Sequence, residues 1–172
     1  INDLAEPWTE AVKSGEWKPA GREKQMEFAL RAIEPAKASG LLSQLLDNGA
    51  IKVDGSGPWI ELIGRAGEPA QLKRVFEPAV KGSFDEAATV RALTALHDAA
   101  RARNAKPDGD LASVSALFKH SSEKVRAGAW RLAGAWKLGQ FVPQLLAVAG
   151  KPGSHPLESR AAFDGLREIG GS

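Results

Sequence analysis

The 172-residue chain has no cysteine, no tyrosine and a single methionine. Without cysteine it can form no disulfide, thiolate nucleophile, cysteine-ligated zinc site or covalently attached haem. The compartment stays open, because cysteine-free domains occur on both sides of a membrane. Charge of one sign is also scarce. The 23 Lys and Arg against 21 Asp and Glu leave a net charge of +2. No cationic run of the kind that displaces counterions from a nucleic acid is present, so no specific nucleic acid is expected as a partner. Apolar runs are short: residues 141–150 fall far below the roughly 18 to 20 residues that span a bilayer, and no membrane insertion is expected. The glycines of GSGPW and GKPGSHP do not follow the order of a phosphate loop or a dinucleotide fingerprint. His97, His120 and His155 are too far apart for the i, i+3 or i, i+4 spacing of a helix-borne metal site. No cofactor, metal or catalytic residue is expected, and the chain reads as non-catalytic.

What the chain does have is helical periodicity. The stretch EKVRAGAWRLAGAWKLGQFVPQLLAVAG, residues 123–150, places Val125, Ala129, Leu132, Ala133 and Trp136 on one face of a helix. It then places Val142, Leu145, Leu146 and Ala149 on one face of a second, with Gly139 as the terminator between them and Pro143 in the first turn. The unit is a helical hairpin. Others precede it: Met26, Leu30 and Ile33, widened by Phe28 and Ala29, face the same way ahead of Leu41, Leu42, Leu45 and Leu46. Helices are expected over 59–66, from Pro69 to Gly82, from a Ser83-x-x-Glu86 capping box to about Arg103, over 111–120 and over 157–169. Between them, GAIKVDGSGP is a loop with room for a brief strand at Ile51 and Val53.

The hairpins repeat. Leu30, Leu62, Leu96, Leu132 and Leu166 mark the first helix of each, at steps of 32, 34, 36 and 34 residues by subtraction. Arg91, Arg126 and Arg160 recur in TVRAL, KVRAG and ESRAA, which predicts a ladder of ties between neighbouring hairpins through carboxylates or helix-end carbonyls, with a phosphate-reading row as the functional alternative. The expected fold is all-α, a right-handed α-α superhelix of about five hairpins forming one domain over residues 1–172.

VRAGAWRLAGAWKLGQFVPQLL and SRAAFDGLREIGG resemble HEAT repeats, and the resemblance covers about residues 20–172. The period is shorter than the roughly 40 to 47 residues of standard HEAT units, and the tetratricopeptide pattern is not met. A second resemblance joins GPWIELIGRAGEPAQL and EKVRAGAWRLAGAWKL to helical regions of large exported bacterial membrane-bound dehydrogenases that also carry a haem-binding segment. With no CxxCH and no propeller repeat here, neither haem nor dehydrogenase activity carries over. That likeness implies a helical spacer, in the periplasm or cell envelope.

These resemblances imply a protein-interaction scaffold or interdomain spacer, whose partner is another protein or a neighbouring domain of the same polypeptide. The residues expected to meet a partner are Trp130, Lys73, Arg74 and Lys119. Trp130 has two readings, a platform in a groove or a packing residue between repeats, whereas Trp59 and Trp136 lie on apolar faces and are core. The alternative from another class is a DNA-repair enzyme of the HEAT-like alkylpurine glycosylase type, which would need a basic concave groove. Opening at Ile1, the chain reads as a segment excised from a longer protein. A further helix is expected beyond Ser172, without which Phe163 faces outward and the C-terminal helix self-associates.

Overall fold

A computed structural model describes residues 2–18, 21–33, 35–151, 153 and 155–171, apart from the side chains at 2–6, 23, 27, 31, 35–37 and 39. The fold is all-helical. Nine α-helices are described: α1 Asn2–Lys13, α2 Glu23–Ala32, α3 Pro35–Asp47, α4 Trp59–Ala66, α5 Pro69–Val80, α6 Glu86–Arg103, α7 Glu123–Ala135, α8 Val142–Ala149 and α9 Pro156–Gly170. Two 3₁₀ helices, Leu111–Lys119 and Gly139–Phe141, complete them. No strand forms among the described residues: Ile51 is buried as part of a loop, and Val53 points to solvent.

Chain order is also packing order. α2 lies against α4, α4 against α6, α6 against α7 and α7 against α9. These are the helices that carry the recurrent leucine. Of the others, α1 packs on α3, α3 on α4, α5 on both α4 and α6, the longer 3₁₀ helix on α7 and α5, and α8 on α9. One apolar cluster runs from Val12 to Phe141, and a smaller one joins Ala127, Trp130, Leu145, Ala161 and Ala162 between α7, α8 and α9.

Successive helices meet through small residues. A Cβ added to Gly64 of α4 would lie 2.7 Å from Ala95 Cβ on α6, and one added to Gly134 of α7 would lie 2.3 Å from Gly165 Cα on α9. Gly128 of α7 faces Leu93 of α6, where a Cβ would come within 3.0 Å of a methyl group. A glycine inside a helix costs about 0.8 to 1.0 kcal/mol relative to alanine. Backbone contact at these crossings offsets that cost by bringing two helices' worth of atoms into van der Waals range.

Several local details differ from the expectations. The segment 111–119 is 3₁₀ rather than α: its two buried residues, Val114 and Leu117, are three positions apart, the repeat of that tighter helix, with Leu111, Ala112, Ser113 and Phe118 half-buried around them. Asp110 starts it by accepting from Ala112 N at 2.9 Å. The helix α6 is capped by Asp85, whose Oδ1 accepts from Ala88 N at 2.7 Å, so the Ser83–Glu86 box does not form. A capping box forms instead at α5, where Gln71 Oε1 accepts from Glu68 N at 2.8 Å. Gly139 does not terminate α7. Lys137 takes the left-handed conformation at φ 56°, while Leu138 N bonds to Ala133 O at 3.0 Å and Lys137 N to Gly134 O at 2.8 Å. That is the paired closure of a Schellman motif, two residues earlier than expected. Phe28 does not widen the apolar face of its helix. It is 76% exposed, because two steps from Met26 and from Leu30 turn it about 200° away from both. Leu146 likewise leaves the face of Leu145 and is 56% exposed.

Candidate interaction surface

The recurrent arginines act as ties. From α6, Arg91 grips Glu61 of α4 with Nε to Oε1 at 2.6 Å and Nη2 to Oε2 at 2.7 Å. It also donates to the carbonyls of Gly55, at 2.9 Å, and Gly57 in the loop before α4. That loop is held against α6 at Gly55, whose φ of 85° suits glycine and where a Cβ would strike Ala88 Cβ at 2.6 Å. From α7, Arg126 grips Glu158 of α9, with Nε to Oε1 at 3.0 Å, and donates to the carbonyls of Ser121 at 2.7 Å and His120 at 2.5 Å. Hydrogen bonds to Glu61 and Glu158 raise the pKa of these two guanidiniums further above their ordinary value. The ladder is therefore present at two of its three positions, running back along the chain from Arg91 and forward from Arg126. Arg160 is exposed and makes no ion pair with another described residue.

Two further cations serve as helix caps that the sequence reading missed. Arg103 Nη2 donates to Gly64 O at 2.9 Å and Gly67 O at 3.2 Å, closing the C-terminus of α4. Lys106 Nζ donates to Trp136 O at 2.9 Å at the end of α7. Cations at helix C-termini satisfy carbonyls that have no intrahelical donor and sit at the negative end of the helix dipole.

The four expected partner residues divide sharply. Trp130 is 3% exposed, with its ring stacked on Phe118 at a centroid separation of 3.7 Å, and its Nε1 is buried with no acceptor. The platform reading is corrected: this indole fills the space between α7, α8 and α9 and offers no face to a ligand. Lys73 and Arg74 both stand on α5. Lys73 Nζ is 3.7 Å from Glu77 Oε1, and Arg74 pairs with Asp47 of α3. Lys119, the last residue of the 3₁₀ helix, is exposed and has no ion pair among the described residues. α5, the 3₁₀ helix and α8 thus carry Arg74, Lys119, Gln144 and Leu146 to solvent as a mixed surface on which Arg74 is paired and Lys119 is not. Gln71 Nε2 donates to Ser43 Oγ, so α3 and α5 are joined by a side-chain hydrogen bond as well as by the Arg74–Asp47 pair.

An open groove of about 410 Å³ lies between α4 and α6, lined by Glu61, Gly64, Arg65, Arg91, Thr94 and Arg103 among others. Two of its cations are held within the fold: Arg91 is bound to Glu61 and two carbonyls, and Arg103 to the end of α4, while Arg65 is exposed. His97 is half-buried near Glu168 of α9 at 4.0 Å, and His155 caps α9 by accepting from Leu157 N at 3.3 Å while Nε2 meets Glu123 at 2.9 Å. Among the described residues no three His, Asp or Glu side chains converge as metal ligands would, and no helix is long and apolar enough to cross a membrane. Compared with known protein families, curated proteins and solved structures, the chain matches none.

Proposed function

We propose that the chain is a non-catalytic protein-interaction scaffold, built of HEAT-like hairpins in a right-handed α-α superhelix, with the flanking row of α3, α5, the 3₁₀ helix and α8 as its partner surface. The observation that carries this reading is the packing order, in which each leucine-marked helix lies on the next along the chain. Stacking of that kind gives each unit contact mainly with its neighbours and leaves a long side surface available for binding. The side surface supports the reading through its composition, since Arg74, Lys119, Gln144 and Leu146 are exposed on it without a common catalytic geometry. Against a glycosylase, two of the cations on this row, Lys73 and Arg74, are paired with Glu77 and Asp47.

The test is site-specific photo-crosslinking in the source cell. A benzophenone amino acid at Arg74, Lys119 or Gln144 is expected to yield adducts with one discrete protein, or with a neighbouring domain of the same polypeptide. The same group at Thr94, in the groove between α4 and α6, is the control. Adducts of equal yield at Thr94, or none at the three row positions, would defeat the proposal.

A further inference from the structure

The helix α9 is segregated by charge. Its three acidic residues turn toward the preceding helices: Glu158 to Arg126, Asp164 to Arg131 at 3.7 Å, and Glu168 to Arg101 at 3.7 Å and His97 at 4.0 Å. Ala161, Ala162 and Gly165 on the same side are buried. Its two basic residues, Arg160 and Arg167, are exposed on the opposite side, and Phe163 stands between them at 59% exposure. Arg160, Phe163 and Arg167 are spaced i, i+3 and i+7, which puts them on one face along about 10.5 Å of helix. Of the carboxylates on α9, only Asp164 comes near this face, at 3.6 Å from Arg167, and it is shared with Arg131.

The contact of α7 with α9 shows how this protein covers such a face. There, Arg126 and Arg131 of α7 are met by Glu158 and Asp164 of α9, and between these charges the buried apolar residues Ala127, Trp130, Ala161 and Ala162 pack together. The exposed side of α9 offers the same half of that arrangement, two arginines flanking an apolar residue.

We propose that this face docks an acidic amphipathic helix from a partner protein. Carboxylates about seven residues apart meet Arg160 and Arg167, and the apolar residues between them cover Phe163. Charge complementarity selects this occupant. A second copy docked about a two-fold axis would set Arg160 against Arg167 of the other chain, with like charges opposed, so the self-association expected of the sequence gives way to a hetero-contact. The proposal goes beyond the partner surface of the previous section and does not require that surface to bind anything.

The experiment uses the full chain and a lactam-bridged, fluorescein-labelled peptide of about 15 residues, the length of α9. The peptide carries two glutamates seven residues apart with leucines between them, and a control carries lysine at both acidic positions. Fluorescence anisotropy is expected to show the glutamate peptide binding at least about tenfold tighter than the lysine peptide at low salt. In the Arg160→Glu/Arg167→Glu double variant that preference reverses. Phe163→Ser weakens the glutamate peptide while leaving the thermal midpoint unchanged, because the ring is already exposed. Equal binding of the two peptides, failure of the charge swap to reverse the preference, or a dimer in sedimentation that Phe163→Ser dissolves would each overturn the proposal. None of these outcomes bears on the crosslinking result at Arg74, Lys119 and Gln144, so the two readings fail separately.

Discussion

The contact of α7 with α9 and the contact of α2 with α4 join neighbouring leucine-marked helices in different ways. At α7–α9 the backbones touch through Gly134 and Gly165, and with the helices that close Arg126 and Arg131 reach Glu158 and Asp164. The contact is the most extensive in the molecule among the described residues. The helix α2 has no glycine, buries Met26 and Leu30 as its larger apolar side chains among the described residues, and approaches α4 less closely than α9 approaches α7. Glycine at a crossing lets two helices approach until their flanking charges are within reach, whereas a crossing made by long side chains holds the backbones apart. Stability is therefore expected to be graded along the chain, with the α6–α9 region the most resistant and α1–α2 the first to open.

The largest effect is expected from Leu132→Ala in α7. The side chain is fully buried, and its loss should cost about 2 to 5 kcal/mol through transfer and the cavity left behind. Leu30→Ala, at the matching position of α2, is also buried but should cost about 2 kcal/mol, the low end of that range, because α2 is less closely packed on α4 than α7 is on α9 and can relax around the gap. Urea denaturation of the two variants measures both, and equal costs would remove the gradient.

Glycine substitutions sharpen the same contrast through a difference in sign. Gly134→Ala places a methyl group 2.3 Å from Gly165 Cα, so α7 and α9 must separate, at a cost of about 1 to 3 kcal/mol despite alanine's better helix propensity. Gly40→Ala in α3 meets nothing within 4 Å and should stabilise the protein by about 0.4 to 1 kcal/mol. Thermal unfolding reads both; a stabilised Gly134→Ala variant would show that the backbone contact is not a constraint.

Ion pairs give a smaller effect that still depends on the joint. Glu158 is largely covered beside Arg126, and Glu158→Ala should cost about 1.5 to 3 kcal/mol, the range for a charged hydrogen-bonding partner lost from a partly buried site. Asp47→Ala removes the exposed partner of Arg74 and should cost less than about 1 kcal/mol. Equal losses in chemical denaturation would argue against the α7–α9 joint being special.

Much of this organisation was legible in the chain. Leu30, Leu62, Leu96, Leu132 and Leu166 lie on the five helices that pack in chain order, α2 on α4, α4 on α6, α6 on α7 and α7 on α9. Trp59 and Trp136 on apolar faces are core, and Arg91 and Arg126 tie neighbouring helices. The crossings at Gly64, Gly134 and Gly165 were not legible, since a glycine inside a helix reads as a weak position until the facing backbone is known. Nor was the termination at Lys137, where a non-glycine residue takes a conformation that sequence reasoning assigns to Gly139. Trp130 could be read two ways because its neighbours Phe118, Leu145 and Ala162 come from three other segments. The candidate surfaces were the least legible, for exposure depends on what the other helices leave uncovered: Leu146 looked like core, and the division of charge on α9 emerges only when the partners of Glu158, Asp164 and Glu168 are known.

The smallest effect lies on α5, outside both joints, and is read by titration. Hydrogen bonding from Lys81, with the charge of Lys81 next and that of Lys73 smaller, holds the Glu77 carboxyl below its ordinary value of 4.5. A carboxyl whose folded pKa is depressed contributes stability that is present above the unfolded value and is lost as pH falls through the folded one. Acidification should therefore loosen this turn of α5 only below the ordinary glutamate range. Both cations are solvent-exposed, so raising the salt concentration should bring the carboxyl back toward 4.5. A carbon-13 NMR titration of the side-chain carboxyl is expected to move upward in Lys81→Ala and by less in Lys73→Ala, in keeping with separations of 3.2 and 3.7 Å. Identical shifts in the two variants would mean that the hydrogen bond to Lys81 contributes no more than a nearby charge, and that this exposed pair has no fixed geometry.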